Sequence, residues 1–169
     1  MFDASLLQNA VLVLEASRQA RCRITTAESC TGGLLAGLLT HLPGSSEVFE
    51  RGFVTYSNEA KIELLGVPKL LIDHFGAVSA EVALAMAEGA LAHSRAELAL
   101  SVTGIAGPGG GSAGKPVGLV FLGCQWRGCD PVISRQTFGD IGREQVRSAT
   151  LAVALDLLLA ALNQAMPRP

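Results

Sequence analysis

The stretch Glu28-Ser29-Cys30-Thr31-Gly32-Gly33 decides the fold, because it joins a predicted β-strand at residues 22–27 to an apolar predicted helix at residues 30–40. A strand that turns directly into a helix is typical of α/β proteins. Ser29 then stands at the end of a sheet, beside unpaired backbone N–H groups at the positive end of a helix dipole. Such groups hold an oxyanion or a phosphate. The alternative is that Ser29 is a plain N-cap, since serine commonly caps helices.

The rest of the chain alternates helix-like and strand-like segments, as in a single α/β domain. Helical periodicity or capping signals mark residues 5–19, 59–65, 79–93 and 143–165. β-branched, aromatic or apolar runs mark strands at residues 52–56, 98–103, 117–125 and 132–138. The continuous apolar character of residues 98–103 predicts a central strand, and the last two strands predict a hairpin. We expect one domain over residues 1–169, with a mixed β-sheet flanked by helices on both faces (an α/β/α sandwich).

Composition and charge narrow the class of protein. A length of 169 residues suits one domain, and 49% hydrophobic but only 5% aromatic residues favour helices packed on a sheet over an all-β fold. The formal net charge is −2 and no basic run is visible, so nucleic acid is not an expected partner. Arginines cluster at Arg135, Arg143 and Arg147, which suits a small anion better than a polyanion.

Signals for metal binding, secretion and membrane insertion are weak. The four cysteines match neither a disulfide framework nor a zinc-ligand pattern, and the three histidines are isolated. The N terminus lacks the basic region of a signal peptide. The apolar stretch at residues 151–162 is too short to span a bilayer and contains Asp156. We expect a cytoplasmic protein without metal, cofactor or membrane contact, whose last helix is buried in the core or in a homo-oligomer interface.

A glycine-rich loop at residues 104–115 is a functional candidate, because unstructured loops of this length are uncommon in compact domains. Residues 109–115 match most of a phosphate-binding loop, but Pro116 stands where Ser or Thr would bind magnesium. A predicted strand also follows in place of the required helix. The pattern therefore disfavours an ATP-type loop and favours glycines that let backbone approach a ligand closely. The alternative is a flexible hairpin connection.

Ser29 needs a partner that takes its proton if it is to attack an amide or ester. An α/β-hydrolase elbow requires glycine two residues to either side, where Ala27 and Thr31 stand. Lys61 is the better base, because it lies one turn into the helix after the second strand, and adjacent parallel strands bring it near Ser29. Its pKa must then fall from about 10.4 towards roughly 7–8. The alternative is a solvated lysine paired with a neighbouring glutamate.

Cys30 competes with Ser29 for the role of nucleophile. A thiol near a helix N terminus has a lowered pKa and reacts as a thiolate. The two adjacent side chains point in different directions, so at most one of them faces a given substrate.

Six motifs follow one another in the chain: TTAESCTGG at 25–33, GSS at 44–46, FERGFVTYSNEAK at 49–61, GAVS at 76–79, TGIAGP at 103–108 and KPVG at 115–118. Together they resemble the CinA C-terminal domain family, whose best-understood members are nicotinamide-nucleotide amidases. The resemblance spans nearly the whole chain. We expect the stand-alone form of this family, in which no second domain precedes these motifs.

The resemblance implies hydrolysis of the carboxamide of nicotinamide mononucleotide to nicotinate mononucleotide and ammonia, without a metal, by a serine–lysine mechanism. Ser29 and Lys61 are the matching catalytic positions. The residues expected to contact substrate or oxyanion are Cys30, Thr31, Gly32, Tyr56, Asn58, Thr103, Gly104, Arg143 and Arg147. The two arginines that open the last helix suit a phosphate, although the lead-in before Arg143 is two residues longer than the common form.

Two other functions stay open. One is a catalytically silent module that binds a pyridine nucleotide and is linked to competence or DNA repair. The other is amidase action on a different small amide. The presence of every catalytic candidate favours an enzyme.

Overall fold

A computed structural model describes residues 2–165 of the chain. This part contains six α-helices and five β-strands, together with a short 3₁₀ turn at Ser45–Glu47. In chain order the elements are α1 (Ala4–Ala20), β1 (Ile24–Glu28), α2 (Leu34–Thr40), β2 (Phe49–Val54), α3 (Asn58–Leu65), α4 (Lys69–Phe75), α5 (Ala80–Ala92), β3 (Leu98–Gly104), β4 (Leu119–Trp126), β5 (Val132–Thr137) and α6 (Arg143–Ala165).

The five strands form one mixed sheet in the order β2-β1-β3-β4-β5. β1 pairs in parallel with both β2 and β3, whereas β4 is antiparallel to β3 and β5. The predicted mixed sheet, adjacent parallel first strands, central third strand and terminal hairpin are all confirmed. Glu28 is paired with Val54 at the ends of β1 and β2, so the residues that follow these two strands lie at the same edge of the sheet.

Helices cover both faces of this sheet. α1, α2 and α6 bury one core, which includes Leu14, Leu38 and Leu155. α3, α4 and α5 bury a second core on the opposite face, which includes Leu65 and Met86. The predicted α/β/α sandwich is therefore confirmed.

Helix α3, which carries Lys61, is held against α5 at Gly89. A Cβ atom added at Gly89 would overlap the backbone carbonyl of Leu65, so this approach requires glycine. Ser57 is the N-cap of α3, and its side chain accepts from the backbone N–H of Ala60. These local contacts fix where Lys61 stands relative to the sheet.

α6 is long and apolar enough to cross a membrane if only length and composition are considered, over Arg143–Gln164 with a mean hydropathy of 1.5. The core helix of a soluble protein passes the same test. α6 packs on α1 and β4 and buries a row of apolar side chains that includes Leu151, Leu155 and Leu158. It is thus a core helix on its inner face, as expected for residues 151–162.

Three details differ from the sequence-based expectations. α2 begins at Leu34 and not near residue 30, because Gly32 and Gly33 take left-handed φ angles of 62° and 91°. β2 covers Phe49–Val54 and not residues 52–56, because an edge strand tolerates polar residues on its exposed face. α4, a helix of seven residues that follows Pro68, was not expected.

Candidate active site

Ser29 lies directly beyond the carboxyl end of β1. Its backbone N–H donates to the carbonyl of Val102 on β3 at 2.9 Å, which continues the parallel pairing by one residue. Its own carbonyl accepts from Gly32 N–H at 3.0 Å. The Ser29 side chain is therefore held at the sheet edge on a tight turn, and it is half-buried.

Lys61 lies in α3, the helix that follows β2, and its side chain contacts Ser29. The ammonium nitrogen Nζ of Lys61 lies 3.0 Å from Ser29 Oγ and donates to the carbonyl of Thr55 at 2.8 Å. A weaker contact reaches the carbonyl of Ser57 at 3.5 Å. The geometry expected from adjacent parallel strands is thus present in the structure.

Lys61 is only 1% exposed, which is unusual for a lysine. Burial lowers the pKa of its amine below the ordinary value of 10.5, and only a Cys30 thiolate would oppose this shift. Within residues 2–165, no carboxylate forms an ion pair with Lys61. The alternative of a solvated lysine paired with a glutamate is therefore wrong.

Cys30 is also buried, but its chemistry differs from the expectation. Burial raises the pKa of the Cys30 thiol to about 11, so the thiol is neutral near pH 7. Its Sγ packs near Gly104, where an added Cβ would lie 3.1 Å from the sulfur. The expected low-pKa thiolate is wrong, because the thiol is shielded from water and does not sit at an open helix terminus. This removes the reason to prefer Cys30 over Ser29 as the predicted nucleophile.

A cavity of about 270 Å³ opens at this edge of the sheet. Eight predicted site residues line it: Ser29, Cys30, Tyr56, Asn58, Lys61, Thr103, Gly104 and Arg143. The other lining residues were not singled out individually: Ala77, Val78, Ile105, Ala106, Gly107, Gly109 and Gly110. Five of these seven belong to the glycine-rich loop at residues 104–115, which forms one wall of the cavity. Ala77 and Val78 belong to the GAVS motif, which was the available signal for them.

Arg143 stands at the exposed side of the cavity. Its guanidinium donates to the Tyr56 hydroxyl at 2.9 Å and to the carbonyl of Gly107 at 3.1 Å. These two contacts join the connection after β2 to the glycine-rich loop, and they leave a positive charge at the cavity mouth.

Three predicted contact residues do not line the cavity: Thr31, Gly32 and Arg147. Arg147 donates from Nη2 to the carbonyl of the fully buried Thr31 at 2.7 Å, and it lines a neighbouring cavity of about 560 Å³ instead. Within the described chain, its Nε and the Thr31 hydroxyl are buried without a hydrogen-bond partner. The structure thus places Arg147 beside the turn that follows Ser29, and its expected role at a phosphate stays a prediction. Arg135 is exposed on the edge strand β5, away from both cavities.

The N–H groups of Gly32 and Gly33 are already used within the chain, so they are not free for an oxyanion as expected, whereas the Thr31 N–H donates to no residue that the structure describes. The backbone N–H groups of Gly33, Leu35 and Ala36 all donate to the side chain of Glu28, at 2.8 to 3.1 Å. Leu34 N–H donates to the Thr31 carbonyl. By contrast, the Cys30 N–H, directly after the serine, donates to no other residue in the part of the chain that the structure describes.

The role of Glu28 was not predicted, although it is the first residue of the stretch 28–33. The available signal was an acidic residue at the end of a predicted strand, five residues before the N-cap glycine of α2. Among residues 2–165, no group of three or more His, Cys, Asp or Glu side chains is arranged to hold a metal ion.

These features define an α/β protein with a half-buried serine beside a buried lysine at its parallel strand ends. The profile of the CinA C-terminal domain matches residues 7–162. The nicotinamide-nucleotide amidohydrolase PncC of Escherichia coli K12 is 46% identical over 159 residues, which cover 94% of this chain and 95% of that protein. The chain belongs to the CinA C-terminal domain family.

Two further comparisons agree with this family. The crystal structure of the competence/damage inducible protein CihA from Agrobacterium tumefaciens has a TM-score of 0.93 and 50% identity, and the match covers 97% of this chain and 99% of that one. A CinA-like protein of Geotalea daltonii is 56% identical over 135 residues, or 80% of this chain but 32% of that protein. The chain spans about a third of the length of the first curated relatives it matches.

The lowered pKa of Lys61 is directly measurable, because the chain contains only three lysines, Lys61, Lys69 and Lys115. We expect the ε-carbon of Lys61 to titrate at lower pH than that of Lys69, which is exposed and paired with Asp73. The measurement is carbon-13 NMR of lysine-labelled protein over a pH series, with Lys61→Met for assignment. A Lys61 signal that titrates with Lys69 or above it would contradict the buried geometry.

Proposed function

We propose that this chain hydrolyses the carboxamide of nicotinamide mononucleotide, giving nicotinate mononucleotide and ammonia. The observation that carries the proposal is the 3.0 Å contact between Lys61 Nζ and Ser29 Oγ in an accessible cavity. The name and 46% identity of the Escherichia coli amidohydrolase support the choice of substrate. A serine beside a buried lysine supports the reaction class, because an amine of lowered pKa can act as a general base.

Lys61 as the free amine is oriented to take the proton of Ser29. A neutral amine has two N–H donors and one lone pair. The carbonyls of Thr55 and Ser57 can accept both N–H groups, which turns the lone pair towards the Ser29 hydroxyl. The two carbonyls therefore orient the base without neutralising it as a carboxylate would.

Attack by Ser29 Oγ on the carboxamide carbon gives a tetrahedral intermediate with a negative oxygen. The Cys30 N–H is our candidate donor to this oxyanion, because the N–H directly after a serine nucleophile serves this purpose in other hydrolases. Protonated Lys61 then gives its proton to the departing nitrogen, so that ammonia leaves as the C–N bond breaks. Water, deprotonated by Lys61, hydrolyses the ester on Ser29 and restores the serine.

Arg143 is our candidate for the substrate phosphate. It stands at the exposed side of the cavity, and its charge is not cancelled by an ion pair with any described carboxylate. The pyridine ring would occupy the inner part near Ser29, and the ribose phosphate would extend towards Tyr56 and Arg143. Charge-assisted hydrogen bonds of an arginine to a phosphate suit this arrangement.

Replacement of either partner of the pair tests the catalytic proposal. Ser29→Ala should abolish ammonia release from nicotinamide mononucleotide, and Lys61→Met should lower kcat about 100- to 10,000-fold. Lys69→Met removes an exposed lysine and is the matched control, with kcat unchanged. Near-normal turnover in Ser29→Ala or Lys61→Met would reject the assignment, and binding without ammonia release by the wild type would favour the silent binding module.

Arg143→Ala should raise KM for nicotinamide mononucleotide by about 10- to 100-fold, the loss expected for one charge-assisted hydrogen-bonding partner. kcat should change less, because the phosphate is remote from the reacting carbon. Arg135→Ala is the control, since this arginine is exposed on β5. The measurement is steady-state kinetics of the wild type, Arg143→Ala and Arg135→Ala. An unchanged KM in Arg143→Ala would show that Arg143 does not bind the substrate phosphate.

We further propose that the protein is a cytoplasmic homo-oligomer that uses neither nucleic acid nor membrane as a partner. Its four cysteines are free, which suits a reducing compartment. Trp126, Val132 and Leu157 line an apolar cavity of about 530 Å³ between the terminal hairpin and α6, which supports self-association. Light scattering should give a molar mass of at least twice the 17.5 kDa of one chain, and a mass of 17.5 kDa would contradict the proposal.

A further inference from the structure

The buried carboxylate of Glu28 precedes the serine by one residue. It is the last residue of β1 and is 0% exposed. A charge in such a position is costly unless its oxygens are hydrogen-bonded. Oε2 accepts from the backbone N–H groups of Gly33 and Leu35 at 3.1 and 3.0 Å, and Oε1 accepts from Ala36 at 2.8 Å. Both oxygens are thus satisfied by the first turn of α2.

These bonds tie β1 to α2 across the turn that carries Ser29. On the strand side, the turn is fixed by Ser29 N–H on Val102. On the helix side, Arg147 donates to the Thr31 carbonyl, and the Glu28 carboxylate accepts from three backbone N–H groups of the first turn of α2. Removing the carboxylate would leave three backbone donors, one buried and two partly buried, without their acceptor and would release the helix side of the turn.

The backbone of Glu28 also supports the base. Its carbonyl accepts from Thr55 N–H at 2.8 Å. The carbonyl of Thr55 in turn accepts from Lys61 Nζ at 2.8 Å. Glu28 therefore precedes Ser29 in sequence, and it is linked to Lys61 by two hydrogen bonds through the backbone of Thr55.

We propose that Glu28 is a positioning residue for the reaction, whose carboxylate fixes the Ser29 turn so that Ser29 Oγ stays within hydrogen-bond distance of Lys61 Nζ. Glu28 does not line the cavity and acts only through these contacts. The inference rests on the proposed amidase function, and Glu28 takes no part in any step of the reaction proposed above. It also explains why the α2 terminus does not serve as the oxyanion site, since a negative side chain already occupies it.

Glu28→Gln is the test variant, because it keeps the side-chain volume but places an amide donor against backbone donors. We expect kcat for ammonia release from nicotinamide mononucleotide to fall about 10- to 100-fold, as for a small displacement of reacting groups, with KM within about twofold. Ser101→Ala is the matched control. It removes a buried hydroxyl on β3 that donates to the Ala83 carbonyl at 2.6 Å, outside the cavity, and its kcat should equal that of the wild type.

A second readout does not depend on substrate. In Glu28→Gln, looser packing of Ser29 against Lys61 should admit water to the Lys61 amine. The NMR titration of Lys61 should therefore move to higher pH, whereas Ser101→Ala should leave that titration unchanged. A wild type inactive on nicotinamide mononucleotide would end the proposed function, and this titration would still decide the role of Glu28.

Glu28→Asp covers the case in which Glu28→Gln does not fold. It keeps the carboxylate but is one methylene shorter, so we expect a smaller fall in kcat and a smaller titration shift in the same directions. Wild-type kcat in the glutamine variant, or in the aspartate variant if only that one folds, would overturn the proposal. An unchanged Lys61 titration, or an equal loss of kcat in Ser101→Ala, would overturn it as well.

Discussion

The site depends on a buried lysine amine that has no carboxylate partner among residues 2–165 and that is held 3.0 Å from a serine hydroxyl. Removing an ammonium from water is unfavourable, and carbonyl oxygens compensate only in part. Burial therefore lowers the pKa of Lys61, which makes the neutral amine easier to form than for a lysine in water. A neutral amine beside a hydroxyl is a base beside a nucleophile, so the burial that lowers the pKa of Lys61 is also the source of the proposed chemistry.

The fold supplies this contact through sheet topology. β1 and β2 are parallel neighbours, so the chain leaves both strands at one edge, and the connections that follow carry Ser29 and Lys61. Gly89 brings α3 close to α5, and Glu28 holds the start of α2. Each of these contacts lies outside the cavity. The alignment of the two reacting groups is thus a property of the packed layers and not of a mobile loop.

The meeting of Ser29 and Lys61 could be predicted, because it follows from two strand–helix junctions and the rule for parallel connections. The raised pKa of the Cys30 thiol and the hydrogen bond from Arg147 to the Thr31 carbonyl could not be predicted, because burial and side-chain direction depend on packing between distant segments. The helix start was misjudged for a similar reason. An N-terminal dipole attracts an anion, but periodicity does not show that Glu28 of the same chain is that anion. α4 was not predicted, because a helix of seven residues is too short to show a clear hydrophobic periodicity.

The most direct test of the account is reaction of the protein with a serine-directed fluorophosphonate, followed by intact-mass and peptide analysis. The account predicts one adduct on Ser29 in the wild type, and no adduct in Lys61→Met, since the hydroxyl then lacks its base. Equal labelling of both proteins, or an adduct on Cys30 in place of Ser29, would contradict a serine activated by the buried lysine.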